Sequence, residues 1–219
     1  MSRIVLASSS PRRRELLARA GIRFTVVEPP PDIIPPPGMS ADLAVQLIAR
    51  QKAVAVAATV PAGTFILAAD TIVVGPRGPL GKPGTPEKAR DYLSQLRGGK
   101  HSVLTGICAM TAPDVNEQLG LGRSSVKMRD FSDADLEAYI ASGEPLDKAG
   151  GYAIQGGGSD LVEAVAGRVD TVVGLDVALA LRLLTAAGYP DPLPTAVDVS
   201  LVQRPVRRPL TTMRAGSRI

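Results

Sequence analysis

Leu6-Ala7-Ser8-Ser9-Ser10-Pro11-Arg12-Arg13-Arg14-Glu15-Leu16 compresses a strand, a tight loop and a helix into one stretch. Arg3 to Ala7 holds a short apolar run suited to a buried strand. Ser10 suits an N-cap, and Pro11 suits the first helical position, where no backbone N–H is needed. Three arginines then fall in the first helical turn. The helix N-terminus is already positive there, and each cation costs roughly 0.3–1 kcal/mol. An anionic ligand would offset that cost. Serine hydroxyls, free N–H groups and forked guanidinium donors form a phosphate site in outline. A basic, solvated helix face accounts for the same residues equally well.

Outward from this stretch, composition bounds the chain. Its 219 residues make one domain, or one plus a tail, and 45% hydrophobic residues suffice for a core. A net charge of +4 and a pI near 9.5 favour anionic partners. Aromatics at 3% and the absence of Trp disfavour a base-stacking platform for single strands. A single cysteine excludes an intramolecular disulfide, in keeping with a reducing compartment. No signal peptide and no bilayer-length apolar run is read, so a cytoplasmic location is expected.

The first helix is expected from Pro11 to about Ala20, with Gly21 as its stop, and a second strand over Phe24 to Val27. Pro29 to Gly38 contains six prolines and reads as a semi-rigid extended connector whose one charge is Asp32. Asp32 is equally a solvated loop acid. Ser40 caps a long helix to about Ala58. Lys52 lies at the edge of its apolar stripe, where a snorkelling lysine is the plainer account. Thr64 to Val74 is a nearly continuous apolar run, as in a strand buried on both faces, interrupted by Asp70 and Thr71. A carboxylate in such a run is costly unless it is paired or binds metal. Lys82 follows on a glycine-flanked loop.

Thr85 and Pro86 open a helix to Leu96, and strands are expected over His101 to Ala112 and about Arg123 to Arg129. His101 and Cys108 are the chain's one His and one Cys. Seven residues apart on one strand, they face opposite sides and lie roughly 23 Å apart. That argues against a Cys–His pair, and one histidine excludes a His-rich zinc site. Ser132 to Asp135 is a capping-box start for a helix ending at Ser142-Gly143. Glu144 to Gly158 mixes five glycines and a proline with two acids, a lysine, a tyrosine and a glutamine, more like a ligand-lining loop than a linker. A hairpin is expected from Leu161–Val165 and Arg168–Val172, and a last helix from about Leu175 to Ala187. From Pro190 prolines and arginines dominate, so residues 1–189 are expected to form the domain and 190–219 a basic, disordered tail.

Three stretches now stand together: Ser8-Ser9-Ser10-Pro11-Arg12-Arg13; Ala69-Asp70-Thr71 with Gly81-Lys82-Pro83; and Glu144-Pro145-Leu146-Asp147-Lys148-Ala149-Gly150 with Ile154-Gln155-Gly156. In this order and at these intervals they resemble the Maf family of nucleoside triphosphate pyrophosphatases, over about residues 3 to 187. The resemblance implies cleavage between the α and β phosphates, with a divalent cation, Mg²⁺ or Mn²⁺. It implies a single elongated α/β domain with a mixed sheet, flanking helices and a deep cleft, similar to the inosine triphosphatase-like fold. The family's catalytic aspartate falls on Asp70, and its phosphate-binding residues fall on Ser8, Arg13, Lys52 and Lys82. A branch acting on dTTP and UTP resembles the chain more closely, with Arg12, Thr71 and Gln155 at the positions linked to base choice. The family's usual glutamate after the second strand is missing. Asp32 stands in that region: either it joins Asp70 at the metal, or the metal site is thinner than the family's usual one.

Two other readings compete. A pyrophosphatase for modified or non-standard nucleotides differs only in base choice. A non-catalytic nucleotide sensor or nucleic-acid-binding regulator suits the basic charge, but scarce aromatics and Asp70 in an apolar strand count against it. No stable nucleic-acid partner and no membrane are expected, and a homodimer stays open.

Overall fold

β1 (Ile4–Ala7), α1 (Pro11–Arg19) and β2 (Thr25–Val27) open the chain at the boundaries that its serines and prolines mark. The structure is a computed structural model and describes residues 3–113 and 115–194. α2 (Ala41–Ala57), β3 (Phe65–Gly75), β4 (Gly78–Leu80), α3 (Pro86–Leu96), β5 (Lys100–Thr111) and β6 (Val115–Met128) follow. Then come α4 (Asp133–Ala141), three 3-10 turns within 144–161, β7 (Val162–Ala166), α5 (Val169–Val173) and α6 (Val177–Ala186). The Pro29–Pro36 stretch forms no regular element, as its prolines require.

One mixed seven-stranded sheet carries the order β2-β1-β3-β5-β6-β7, with β4 paired to β3. β1 lies parallel to both β2 and β3, and the remaining pairs are antiparallel. Alternation along the central strands sorts the core into two faces. Ile4, Leu6, Leu67, Ala69, Ile107 and Ala109 pack with Leu16 and Leu17 of α1 and with Leu181 and Leu184 of α6. Val5, Ala7, Ile66, Ala68, Cys108 and Met110 pack with Ala49, Ala53 and Val56 of α2. A third cluster joins α3 and α4 to the far ends of β3, β5 and β6. Each fully buried leucine here contributes roughly 1.5–3 kcal/mol. The same period of two places Asp70 on the α2 face and Thr71 on the α1 face.

His101 and Cys108 belong to separate regions, as their spacing requires. Cys108 packs beneath α2, whereas the His101 Nε2 lies 2.7 Å from the Tyr152 hydroxyl. The His101 Nδ1 is buried with no hydrogen-bond partner. Burial therefore pulls the imidazole down to about 4 from an ordinary 6.5. Between those values the unfolded chain binds a proton that the native protein refuses, so stability falls as pH drops from 6.5 towards 4 and is flat above. Denaturant midpoints at pH 7 and pH 4.5 should show a loss of roughly 2–3 kcal/mol from this group. His101→Gln should remove that part of the slope, and an equal slope in the variant would assign it elsewhere.

Three expectations need correction. The segment read as the second arm of a hairpin is the helix α5, and β7 pairs with β6 instead. Val169, Thr171, Val172 and Val173 favour a strand by propensity. Burial of Val169 and Val173 at helical spacing, and the Asp170 carboxylate accepting the Thr171 and Val177 N–H groups, override it. The last helix begins at Val177, because Asp176 caps it by accepting the Leu179 N–H at 2.9 Å. β6 starts at Val115, eight residues before the strand that was expected. Gly120 and Gly122 hide it from a propensity reading. They are glycine because a Cβ would lie 2.9 Å from Leu183 or 3.1 Å from Asp176 and Thr171.

Tyr189 sets its ring edge-on to Phe65 with centroids 5.1 Å apart, and Leu193 packs on the same cluster. The rest of the expected tail, 195–219, lies outside the described residues.

Candidate active site

The parallel strands β2, β1 and β3 end on one side of the sheet, and their carboxyl ends open into a cleft of about 960 Å³. That is where ligands bind in open α/β sheets. All nine side chains singled out in the sequence line it: Ser8, Arg12, Arg13, Asp32, Lys52, Asp70, Thr71, Lys82 and Gln155.

Asp70 sits within β3 opposite Gly106 of β5. Gly106 decides how deep α2 lies, since a Cβ there would be 2.5 Å from the Val45 carbonyl oxygen. Two helical turns after Val45, on the same face, comes Lys52, which is only 8% exposed. Its ammonium lies 2.7 Å from Asp70 Oδ1 and 2.8 Å from Asp32 Oδ1. Lys52 is therefore no snorkelling lysine. The proline connector delivers Asp32 to the same ammonium, so one buried cation draws two carboxylates together.

Thr71 points the other way, towards α1. Arg13 donates from its Nη2 to the Thr71 hydroxyl at 3.2 Å and from its Nε to the Gly174 carbonyl at 2.8 Å. Thr71 Oγ1 also lies 2.9 Å from Thr105 Oγ1, which donates to the Thr171 carbonyl. The Thr71 hydroxyl is thus committed to orienting Arg13. Burial pulls the Arg13 guanidinium below its ordinary value, Asp70 and Asp32 oppose that, and Arg12 adds to it. It stays a cation throughout.

Ser10 occupies the N-cap of α1 but its hydroxyl makes no capping bond. Instead the Ser10 N–H donates to the buried Ser8 hydroxyl at 3.1 Å. The first turn carries no acid to neutralise its arginines. Lys82 extends from the loop after β4. The Gly150 N–H to the Gly81 carbonyl at 3.0 Å, and the Gly84 N–H to the Leu146 carbonyl at 3.0 Å, tie that loop to the segment after α4.

Five cations and four carboxylates line the cleft, so it can receive a polyanion and keep acids beside it. Glu28 escaped the sequence reading, and Asp147 was seen only as part of the glycine-rich loop. Asp147 forms an ion pair with Lys148 at the rim. Glu28 immediately follows β2, and its place at the end of a parallel strand was the signal available. Tyr152, buried in the cleft wall, was seen only as part of a glycine-rich loop.

Fold and site together define an α/β protein whose cleft sets five cations beside a lysine-bridged carboxylate pair. The chain belongs to the family described as Maf-like protein, whose model matches residues 3–187. It is 45% identical over 189 residues to a dTTP/UTP pyrophosphatase of Myxococcus xanthus (strain DK1622), covering 86% of this chain and 94% of that protein. It is 38% identical to a dTTP/UTP pyrophosphatase of Pelotomaculum thermopropionicum, over 86% of this chain and 98% of the relative. Among solved structures, a HAM1 protein from Coxiella burnetii is 19% identical, with a TM-score of 0.41 over 60% of this chain and 75% of that one. No helix among the described residues is long and apolar enough to cross a membrane.

Proposed function

We propose that this protein hydrolyses nucleoside triphosphates, dTTP and UTP in preference to others, releasing pyrophosphate and the nucleoside monophosphate. The observation that carries the reading is the meeting of Asp70, Lys52, Arg13, Lys82 and Ser8 at one cleft, with Gln155 on its wall. The names of the relatives support it. Water attacks the α phosphorus, the bond from that phosphorus to the bridging oxygen breaks, and the charge on pyrophosphate grows. Arg13, Lys52 and Lys82 neutralise that charge, an electrostatic contribution that is large in a partly desolvated cleft. Asp70 takes the water's proton, holds a cation, or does both.

A divalent cation, Mg²⁺ or Mn²⁺, belongs to this reading. The donor set fits it. Asp32 and Asp70 already converge on one positive charge, and Mg²⁺ typically takes one or two carboxylates with phosphate oxygens and water. Among the described residues no cluster of three or more His, Cys, Asp or Glu side chains offers a complete protein cage. Bound there, the ion would neutralise phosphate charge.

Base choice rests on Gln155 and Arg12 at the cleft wall. A pyrimidine-2,4-dione presents two carbonyl acceptors around one N–H donor. Gln155 supplies both a donor and an acceptor, and Arg12 can only donate. Cytosine and the purines leave part of this set unpaired, at about 1–3 kcal/mol per buried group. Pyrophosphate release should therefore show kcat/KM at least about tenfold higher for dTTP and UTP than for CTP and GTP. It should vanish with a chelator and return with Mg²⁺. Asp32→Ala should raise the Mg²⁺ concentration needed for half-maximal rate. Equal kcat/KM for all four nucleotides would overturn the base preference, and an unaltered Mg²⁺ titration in Asp32→Ala would remove Asp32 from the metal site.

A further inference from the structure

Ile154 before Gln155 packs on the core, but Gly156-Gly157-Gly158 after it have no side chains to pack. Such a segment has large conformational freedom to lose when it orders. Something outside it must fix where the Gln155 amide points.

The anchor is a part-buried polar cluster beside the cleft wall. The Glu144 carboxylate accepts the Gly157 N–H on Oε2 at 3.0 Å and the Gly158 N–H on Oε1 at 3.3 Å. The Tyr139 hydroxyl donates to Glu144 Oε1 at 3.0 Å and accepts the Ala153 N–H at 3.2 Å. The backbone is therefore held two residues before Gln155 and two and three residues after it. The glycines make the closure possible. Gly156 has φ +82° and a Cβ there would lie 2.9 Å from Glu144 Oε2. A Cβ at Gly158 would lie 2.4 Å from the Ala153 carbonyl oxygen and 2.6 Å from the Tyr139 oxygen. Tyr139 itself is part of α4, a helix fixed at its start by the Ser132–Asp135 capping box. The wall carrying Gln155 thus takes its position from a regular element that does not touch the cleft's phosphate end.

We infer that Glu144, with the Tyr139 hydroxyl, is a positioning residue for base recognition, a latch that holds the backbone on both sides of Gln155. This role rests on the reading of Gln155 as a base contact. A charged acceptor is needed. Amide N–H bonds to a carboxylate are roughly twice as strong as neutral ones, and a glutamine of the same shape would turn an N–H towards the Gly157 N–H. The latch acts on the base end, so its loss falls on KM and on discrimination more than on kcat.

The test uses the whole protein with Glu144→Gln, Tyr139→Phe and Gln155→Ala. Glu144→Gln should raise KM for dTTP about tenfold, change kcat less than threefold, and cut the dTTP-over-CTP preference to within about threefold of unity. Amide hydrogen exchange over residues 153–158 should quicken at least tenfold. Tyr139→Phe should move the same quantities by a smaller factor, and it decides the matter if Glu144→Gln does not fold. Wild-type exchange and KM in a folded Glu144→Gln or Tyr139→Phe protein would overturn the latch. Wild-type base preference in Gln155→Ala would instead overturn the base-contact reading and the selectivity role with it. Exchange over 153–158 would still report whether Glu144 holds the loop.

Discussion

Asp70→Asn should lower turnover of dTTP by at least about 100-fold while the protein stays folded and still binds nucleotide, the scale of losing a positioned proton acceptor. The amide keeps the size of the carboxylate and removes its charge. Lys52 keeps Asp32 at 2.8 Å, so the substitution does not strand a buried ammonium. The phosphate-binding cations Arg13 and Lys82 stand on other elements, and Arg13 is held by Thr71 and Gly174 rather than by Asp70. Binding should therefore survive. Two measurements separate the roles open to Asp70. As a metal ligand, its loss shifts the Mg²⁺ titration to higher concentration. As a base alone, it leaves that midpoint in place while the pH dependence of kcat/KM loses its acid limb. A folded Asp70→Asn protein with turnover close to wild type would sink this mechanism.

Asp170→Ala should destabilise the fold by about 3–5 kcal/mol, because two buried amides each lose their acceptor at about 1–3 kcal/mol and the bonds to the half-exposed Arg168 go with them. Asp170 is fully buried and every bond it makes is strong. Arg168 donates to Oδ1 at 3.0 Å and to Oδ2 at 2.6 Å, the Thr171 N–H donates to Oδ1 at 3.0 Å, and the Val177 N–H donates to Oδ2 at 3.0 Å. Alanine leaves two buried amides without an acceptor. Arg168 keeps Asp176 at 3.1 Å, which places the loss near the lower end of the range. For a domain of this size the melting temperature should fall by roughly 10 °C. Activity should suffer even in the cold. The Asp170 carbonyl accepts the Gly174 and Leu175 N–H groups, and the Gly174 carbonyl in turn holds Arg13. A melting temperature within two or three degrees of wild type would mean that the loop between α5 and α6 is anchored elsewhere.

The structure explains which parts of this protein were readable from its residues. Boundaries marked by local chemistry were legible. Thr85 and Ser132 cap α3 and α4 as expected, and Ser40 accepts the Leu43 N–H at the start of α2. Buried strands were legible as apolar runs. What failed was decided by neighbours distant in the chain. α5 looks like a strand until Asp170 binds the Thr171 and Val177 amides and Val169 and Val173 find the core. The first half of β6 is invisible because Gly120 and Gly122 are shaped by α6 and α5. Leu193 looks like part of a polar tail until it meets the core.

By itself, the sequence determined that a cationic helix start, an aspartate in a buried strand and a glycine-rich polar loop belong to one α/β domain. Residue type and period suffice for that, because caps, apolar runs and misplaced charges are local signals. Only the tertiary structure decided how those groups work on one another. Period-two alternation sends Asp70 to Lys52 and Thr71 to Arg13, but the partners come from α2 and α1, and their distance is set by Gly106 and Gly174. Nor could spacing tell that Glu144 reaches the amides around Gln155. Those contacts depend on how closely backbones approach. That approach is fixed by packing across the whole sheet, and no single stretch of chain records it.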